Sequence, residues 1–154
     1  MIEIDDVTSL GSRIGEEVGV SEWLPITQAR IDQFAEATGD DQWIHVDTER
    51  ARVDSPHRTT IAHGFLTLSL VSMLLRDALH FTGPRMAINY GLNRVRFIAP
   101  VPSGSRVRAR FAPAAVEQAS DSMQVTWRVT IEREHHDKPC CVAEWIVRYY
   151  AHEP

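Results

Sequence analysis

The sequence predicts an α+β domain in which one long apolar helix is wrapped by a curved antiparallel sheet. Two observations carry this. From Phe65 to Leu79 the chain is apolar nearly all round (Phe65, Leu66, Leu68, Leu70, Val71, Met73, Leu74, Leu75), which in a soluble protein implies a helix surrounded by other structure. Beyond it, the C-terminal half divides into strand-length runs separated by turn signals, and a helix followed by a run of strands is the α+β pattern. At 154 residues the chain is read as one domain, 1–154, long enough to bury a core without disulfide or metal staples.

Taken in order, residues up to about Gly19 are interrupted by Gly11, Gly15 and Gly19, which predicts a short helix or turn before a strand near 18–25. Thr27 reads as an N-cap for a helix over 28–38, with Ile31, Phe34, Ala35 and Thr38 at helical spacing. Gly39 is its C-cap signal. A loop over 40–45 follows, then a short helix over 49–53 capped by Thr48, then a polar lid or pocket wall over 54–60. The central helix is expected over 63–79, opened by His63-Gly64. Strands are expected over 86–99, with Gly91 as a bulge, and over 106–116, 122–134 and 140–151.

The segment FAEATGDDQWIHVD is the first candidate for chemistry. On an unbroken helix, Asp40 and His45, five residues apart, would sit about 140° apart around the axis. The break at Gly39 lets the following loop curl and bring both side chains to one point, an arrangement suited to acid–base work. Either residue alone has a plainer reading, Asp40 as a turn former and His45 as a structural or surface histidine. His63 is read as structural, and His57, His80, His135 and His136 as exposed.

Bulk properties exclude several function classes. With 44% hydrophobic and 24% charged residues and a net charge of -5, a broad nucleic-acid surface is not expected. The two cysteines, Cys140 and Cys141, are adjacent and form no disulfide framework or metal site, which suits a reduced, cytoplasmic protein. The start MIEIDDVTSL lacks the basic and apolar regions of a signal peptide. No segment is long and apolar enough to span a bilayer, since Arg76 and Asp77 close the one candidate.

ATGDDQWIHVD followed by TIAHGFLTLSL resembles the MaoC-like dehydratases and R-specific enoyl-CoA hydratases, above all their NodN-like branch. INYGLNRVRFIAPVPSGSRVRA resembles the same family's strand and turn. The resemblance covers 26–109 and implies a hot-dog fold, a homodimer, and water addition to a trans-2-enoyl thioester giving the (R)-3-hydroxyacyl product. It implies Asp40 and His45 as the catalytic pair and the Gly64 N–H as oxyanion donor. It also places Ser69 where some members carry a serine supporting the aspartate. The sequence departs from the usual motif at Gln42-Trp43, where an Asn-Pro is usual, and this puts the pocket lining at Trp43 and the acyl group in question.

Hydration needs a base for water, a proton for C2, and stabilisation of charge on the thioester oxygen. Asp40 and His45 gripping one water would supply the first two, and an unpaired helix N-terminal N–H the third. Arg94 and Arg96 alternate on one strand, and Arg106, Arg108 and Arg110 on the next. They form either a solvent face or, for one or two of them, a fork for coenzyme A phosphates. Tyr90 and Asn93 are candidate linings of the acyl or pantetheine channel. Coenzyme A is expected only as part of the acyl-CoA substrate, with no cofactor and no metal. A hot-dog thioesterase and a non-catalytic acyl-thioester-binding partner are the alternative readings.

Overall fold

The computed structural model describes residues 2–151. β1 (Ile2–Ile4) is followed by a 3-10 turn over Val7–Arg13, then β2 (Gly19–Val20), β3 (Leu24–Pro25), α1 (Gln28–Thr38), α2 (Trp43–Val46) and α3 (Thr48–Asp54). The central segment is α4 (Gly64–Ser69) and α5 (Val71–Ala78), after which come β4 (Leu79–Phe81), β5 (Met86–Phe97), β6 (Arg106–Gln118), β7 (Met123–Arg133) and β8 (Cys141–Tyr150).

Four long antiparallel strands make the sheet in the order β6, β7, β8, β5, with β2 and β3 pairing on the outer side of β6. Each of the central strands alternates. Val107, Ala109 and Phe111, then Val125, Trp127, Val129 and Ile131, then Ala143, Trp145, Val147 and Tyr149 all turn to the buried face, as the period of two requires. Against that face the central helix presents Leu66, Leu70, Val71, Leu74, Leu75 and Ala78, one stripe at helical spacing. Trp127, wholly buried, donates its indole N–H to the Tyr149 hydroxyl at 3.1 Å, so the largest core side chain leaves no orphan donor. Burial pushes the Tyr149 phenol well above its ordinary range, and the bond from Trp127 opposes this only in part.

Several expectations are corrected. The central helix is not one uniform rod, since it tightens at Leu70, which caps α4 and opens α5 while its backbone stays helical. Nor is it enclosed all round. Phe65 is 67% exposed and Ser69 faces outward beside β5, the open edge of the sheet, while Arg76 and Asp77 are exposed near the other end, where Asp77 accepts the Glu22 N–H at 2.6 Å. Residues 43–46 form a helical turn rather than a loop. Asp47, not Thr48, caps α3 by accepting the Arg50 N–H. The strand expected over 18–25 is two two-residue strands, and β1 pairs in parallel with β4 far along the chain, a contact no local pattern announces. His80 is exposed as expected but lies in β4 rather than in a loop.

Other expectations hold. Thr27 accepts the Arg30 N–H, and Gly39 ends α1 at φ 75°, a left-handed conformation that glycine adopts at little cost. The pairing of β5 with β8 slips between Asn89 and Gly91, the bulge expected there. The arginines of β6 stand on the outer face and are taken up by carboxylates. Arg106 pairs with Glu134 at 3.1 Å, Arg110 with Glu132 and Glu17 at 3.1 Å each, and Arg108 with Glu132.

Candidate active site

The candidate site is built where α1 ends, α2 turns and α4 begins. Gly39 reverses the chain after α1, leaving the Asp40 carboxylate exposed. Gln28, on the first turn of α1, donates to the His45 carbonyl at 2.7 Å and accepts from the Thr60 hydroxyl. The Ile61 N–H donates to the Ile44 carbonyl at 2.9 Å. These bonds clamp α2 between α1 and the segment leading to α4. His45 is thereby buried, 8% exposed, in a turn too short to be stable alone.

The ring of His45 is fixed by its own bond. Nδ1 lies 2.7 Å from the Ile61 carbonyl oxygen, and a carbonyl only accepts, so Nδ1 carries the proton. In a ring with one proton, Nε2 is then a free lone pair. Asp40, His45 and His63 each offer a ligand-type atom, all within 4.8 Å of one another, a span that one water with two hydrogen bonds of about 2.8 Å can bridge. The donor types would suit a divalent metal ion. However, the His45 and His63 rings are stacked, centroids 3.8 Å apart and planes only 24° from parallel, so their in-plane lone pairs run side by side and do not converge on an ion at roughly 2 Å.

Gly64 is the first residue of α4, and its N–H has no backbone acceptor among the described residues. It opens on a cavity of about 300 Å³ lined by His45, Ala62, Gly64, Thr67, Phe97 and Cys140, among others. A side chain on Gly64 would strike Phe97, whose Cδ2 lies 2.9 Å from the place a Cβ would take. Glycine here serves close packing.

The structure therefore gathers Asp40, His45 and Gly64, and separates the other expected residues from them. Trp43 is half-buried on α2 beneath the Arg50 guanidinium, 4.3 Å from its ring. Ser69 does not reach Asp40, since its hydroxyl donates to the Phe65 carbonyl at 2.6 Å. With Tyr90 it lines a separate groove between the central helix and β5. Tyr90 is covered by Arg148, 3.5 Å from its ring. Asn93 and Arg94 are exposed on β5. Sequence reasoning missed Gln28 and Phe97, whose parts are visible only in the tertiary contacts, and gave His63 a structural role near the helix start without its partner, the His45 ring on which it stacks. Cys140 and Cys141 are free and buried, and burial pushes both thiols up to about 11.

Comparison with known proteins follows the same lines. The family model described as "MaoC like domain" matches residues 9–134. A protein of Mycobacterium tuberculosis (strain ATCC 25618 / H37Rv) named 3-hydroxyacyl-thioester dehydratase Z is 51% identical over 98% of this chain and 100% of its own length. Nodulation protein N of Rhizobium leguminosarum bv. viciae is 51% identical over 88% of this chain and 85% of its own. Among solved structures, a MaoC-like dehydratase from Rhodospirillum rubrum superposes with TM-score 0.73 at 19% identity, covering 92% of this chain and 94% of that one. An (R)-hydratase from A. caviae does so with TM-score 0.64 at 23% identity, covering 86% and 96%. Likeness at that identity speaks to fold alone, and the fold is the hot-dog fold.

Proposed function

The chain belongs to the MaoC-like dehydratase family and is a hydratase or dehydratase, and on that premise we propose that it is an (R)-specific enoyl-CoA hydratase, or in reverse a 3-hydroxyacyl-thioester dehydratase. The observation that carries the reading is that His45 stands between the other two, within 4.8 Å of an Asp40 oxygen on one side and sharing the wall of one cavity with Gly64 on the other. One water held between the Asp40 carboxylate and His45 Nε2 loses a proton to the pair as its oxygen bonds to C3 of the enoyl thioester. Electrons move through the conjugated system to the thioester oxygen, where the Gly64 N–H and the start of the helix stabilise the charge. The pair then returns a proton to C2, so that water is added with no other reactant. Coenzyme A enters only as part of the substrate. With Arg106, Arg108 and Arg110 bound to carboxylates, Arg94 and Arg96, which have no carboxylate partner among the described residues, are left as the candidates for its phosphates, and Arg94 is the one proposed.

The working unit in this reading is a homodimer. β5 is an edge strand exposed along nearly its whole length, with Met86 at 41%, Ile88 at 44%, Tyr90 at 56% and Leu92 at 45%. A long apolar edge invites pairing with a second copy. Light scattering at micromolar concentration tests it, and a monomer would count against it.

The activity is tested with trans-2-enoyl-CoAs of graded chain length, following loss of the conjugated thioester absorbance, release of thiol and the configuration of the product. Loss of absorbance without thiol release, giving the R alcohol, is expected. Thiol release would make the protein a thioesterase, and binding without turnover would leave it an acyl-thioester-binding partner.

A further inference from the structure

His63 is 2% exposed and among the largest fully buried side chains, yet the reaction above gives it no part. Its Nε2 lies 2.8 Å from the Asp40 backbone oxygen. Because that carbonyl only accepts, Nε2 carries the proton, and in a ring with one proton Nδ1 is a bare lone pair. Nδ1 is buried and has no hydrogen-bond partner among the described residues. A leucine or phenylalanine would fill the same space without stranding a polar atom, so a histidine here calls for a reason.

The contacts supply one. The His63 ring stacks on His45 at 3.8 Å and leans on Phe34 at 4.9 Å. Its backbone carbonyl accepts the Thr67 N–H at 3.1 Å, fixing the first turn of α4. Asp40 itself is exposed, and apart from its N–H near the Thr38 hydroxyl, 3.4 Å away, this bond to its carbonyl is its tether to the site. One side chain, on the residue that precedes Gly64, thus joins Asp40 to the His45 ring.

We propose that His63 is a positioning residue for this reaction. Its Nε2–H holds the Asp40 backbone at the distance from His45 at which both grip one water, while its ring fixes the plane of His45. The proposal rests on the hydratase reading. It also makes the donor atom, beyond the bulk of the ring, the part that matters for turnover.

Two substitutions separate donor from bulk. His63→Phe keeps a ring of similar shape and removes the N–H. His63→Gln loses the ring but can place an amide N–H near the position of Nε2. With the enoyl-CoA assay, His63→Phe is expected to lose about 10–100-fold in kcat with KM changed less than about threefold, the loss that misplacing a catalytic group by about an ångström brings. His63→Gln is expected to keep more of kcat than His63→Phe, although it packs less well and melts lower. Amide hydrogen exchange over 39–46 is the second readout, expected to rise in His63→Phe and to return toward the wild-type rate in His63→Gln. A His63→Phe protein with native kcat and unchanged exchange would overturn the proposal. So would a His63→Gln protein less active than His63→Phe, which would leave packing as the whole role. Wild-type protein without turnover on any enoyl-CoA would sink the hydratase reading and the catalytic role with it, and the exchange data would still decide whether the Asp40 tether exists.

Discussion

Replacing Gly64 with alanine adds one methyl group at the most crowded point of the site. The added Cβ would lie 2.9 Å from Phe97 Cδ2, 3.0 Å from Cγ and 3.1 Å from Cε2, closer than carbon atoms pack, so the ring must move. Phe97 is 45% exposed and can swing outward, giving up its edge-on contact with Phe65 at 5.9 Å. Forcing an extra methyl into packed surroundings costs typically about 1–3 kcal/mol, while alanine returns up to about 1 kcal/mol of helix propensity. A net loss of about 1–2 kcal/mol follows, or a fall in Tm of about 2–4 °C per kcal/mol for a chain of this size. The methyl also stands where the thioester must approach the N–H, which alanine keeps, so kcat should drop by up to roughly 10²-fold, the loss that displacing a reacting group by about an ångström brings. Thermal unfolding and turnover are to be measured on Gly64→Ala, Phe97→Ala and the double variant. Removing the Phe97 ring should relieve the clash, so Gly64→Ala should cost little stability in the Phe97→Ala background while turnover stays low. Gly64→Ala with native stability and native turnover would refute the crowding at this point and the close approach of the thioester to it.

Three further outcomes are expected. Burial works against ionisation of Glu132, but hydrogen bonds from Arg110 and Arg108 outweigh it and hold its carboxyl below the ordinary range. With the folded pKa depressed, the stabilisation is present above the unfolded pKa and fades as pH falls through the folded one. Glu132→Gln, which removes the partner of a group about a quarter exposed, should cost about 1 kcal/mol at pH 7 after solvent screening, with the gap to wild type closing below about pH 4 in urea melts. Cys140 and Cys141, with thiols pushed up to about 11 by burial, should resist a thiol-specific disulfide reagent at pH 7.5 and react only on unfolding; prompt labelling of the native protein would contradict this. Ile88→Lys or Leu92→Lys on the open face of β5 should shift light scattering from dimer to monomer without lowering the yield of folded protein.

Much of this architecture was legible in the chain, for identifiable reasons. The alternation in β6, β7 and β8 and the stripe from Leu66 to Ala78 are direct images of a two-sided sheet and a packed helix. Gly39 announced the reversal that brings Asp40 toward His45, because a left-handed residue after a periodic run has few other uses. The turn around His45 was not legible. Its four residues carry no period, and it exists because Gln28 and Ile61 hold it from outside. The exposure of Phe65 was hidden for a related reason, since an apolar helix reads the same whether its last face meets its own sheet or another molecule. His63 reads in the sequence only as a structural residue that packs or hydrogen-bonds near the helix start, because a single histidine before a helix says nothing of which partners its ring will find. The pairing of Ile2–Ile4 with Leu79–Phe81 joins short segments far apart in the chain.

The central claim is that Asp40 and His45 act together on one water, and turnover of Asp40→Asn, His45→Gln and the double variant, measured with thermal unfolding on the same preparations, tests it most directly. Each single change keeps the approximate shape and removes proton transfer, so each should lower hydration by roughly 10²–10⁴-fold. The double variant should be no worse than the poorer single, because groups working as a unit are not additive. Asp40→Asn should hardly move the Tm, since Asp40 is exposed and its carboxylate has no hydrogen-bond partner among the described residues. A folded Asp40→Asn protein that hydrates enoyl-CoA at near-native rate would contradict the account.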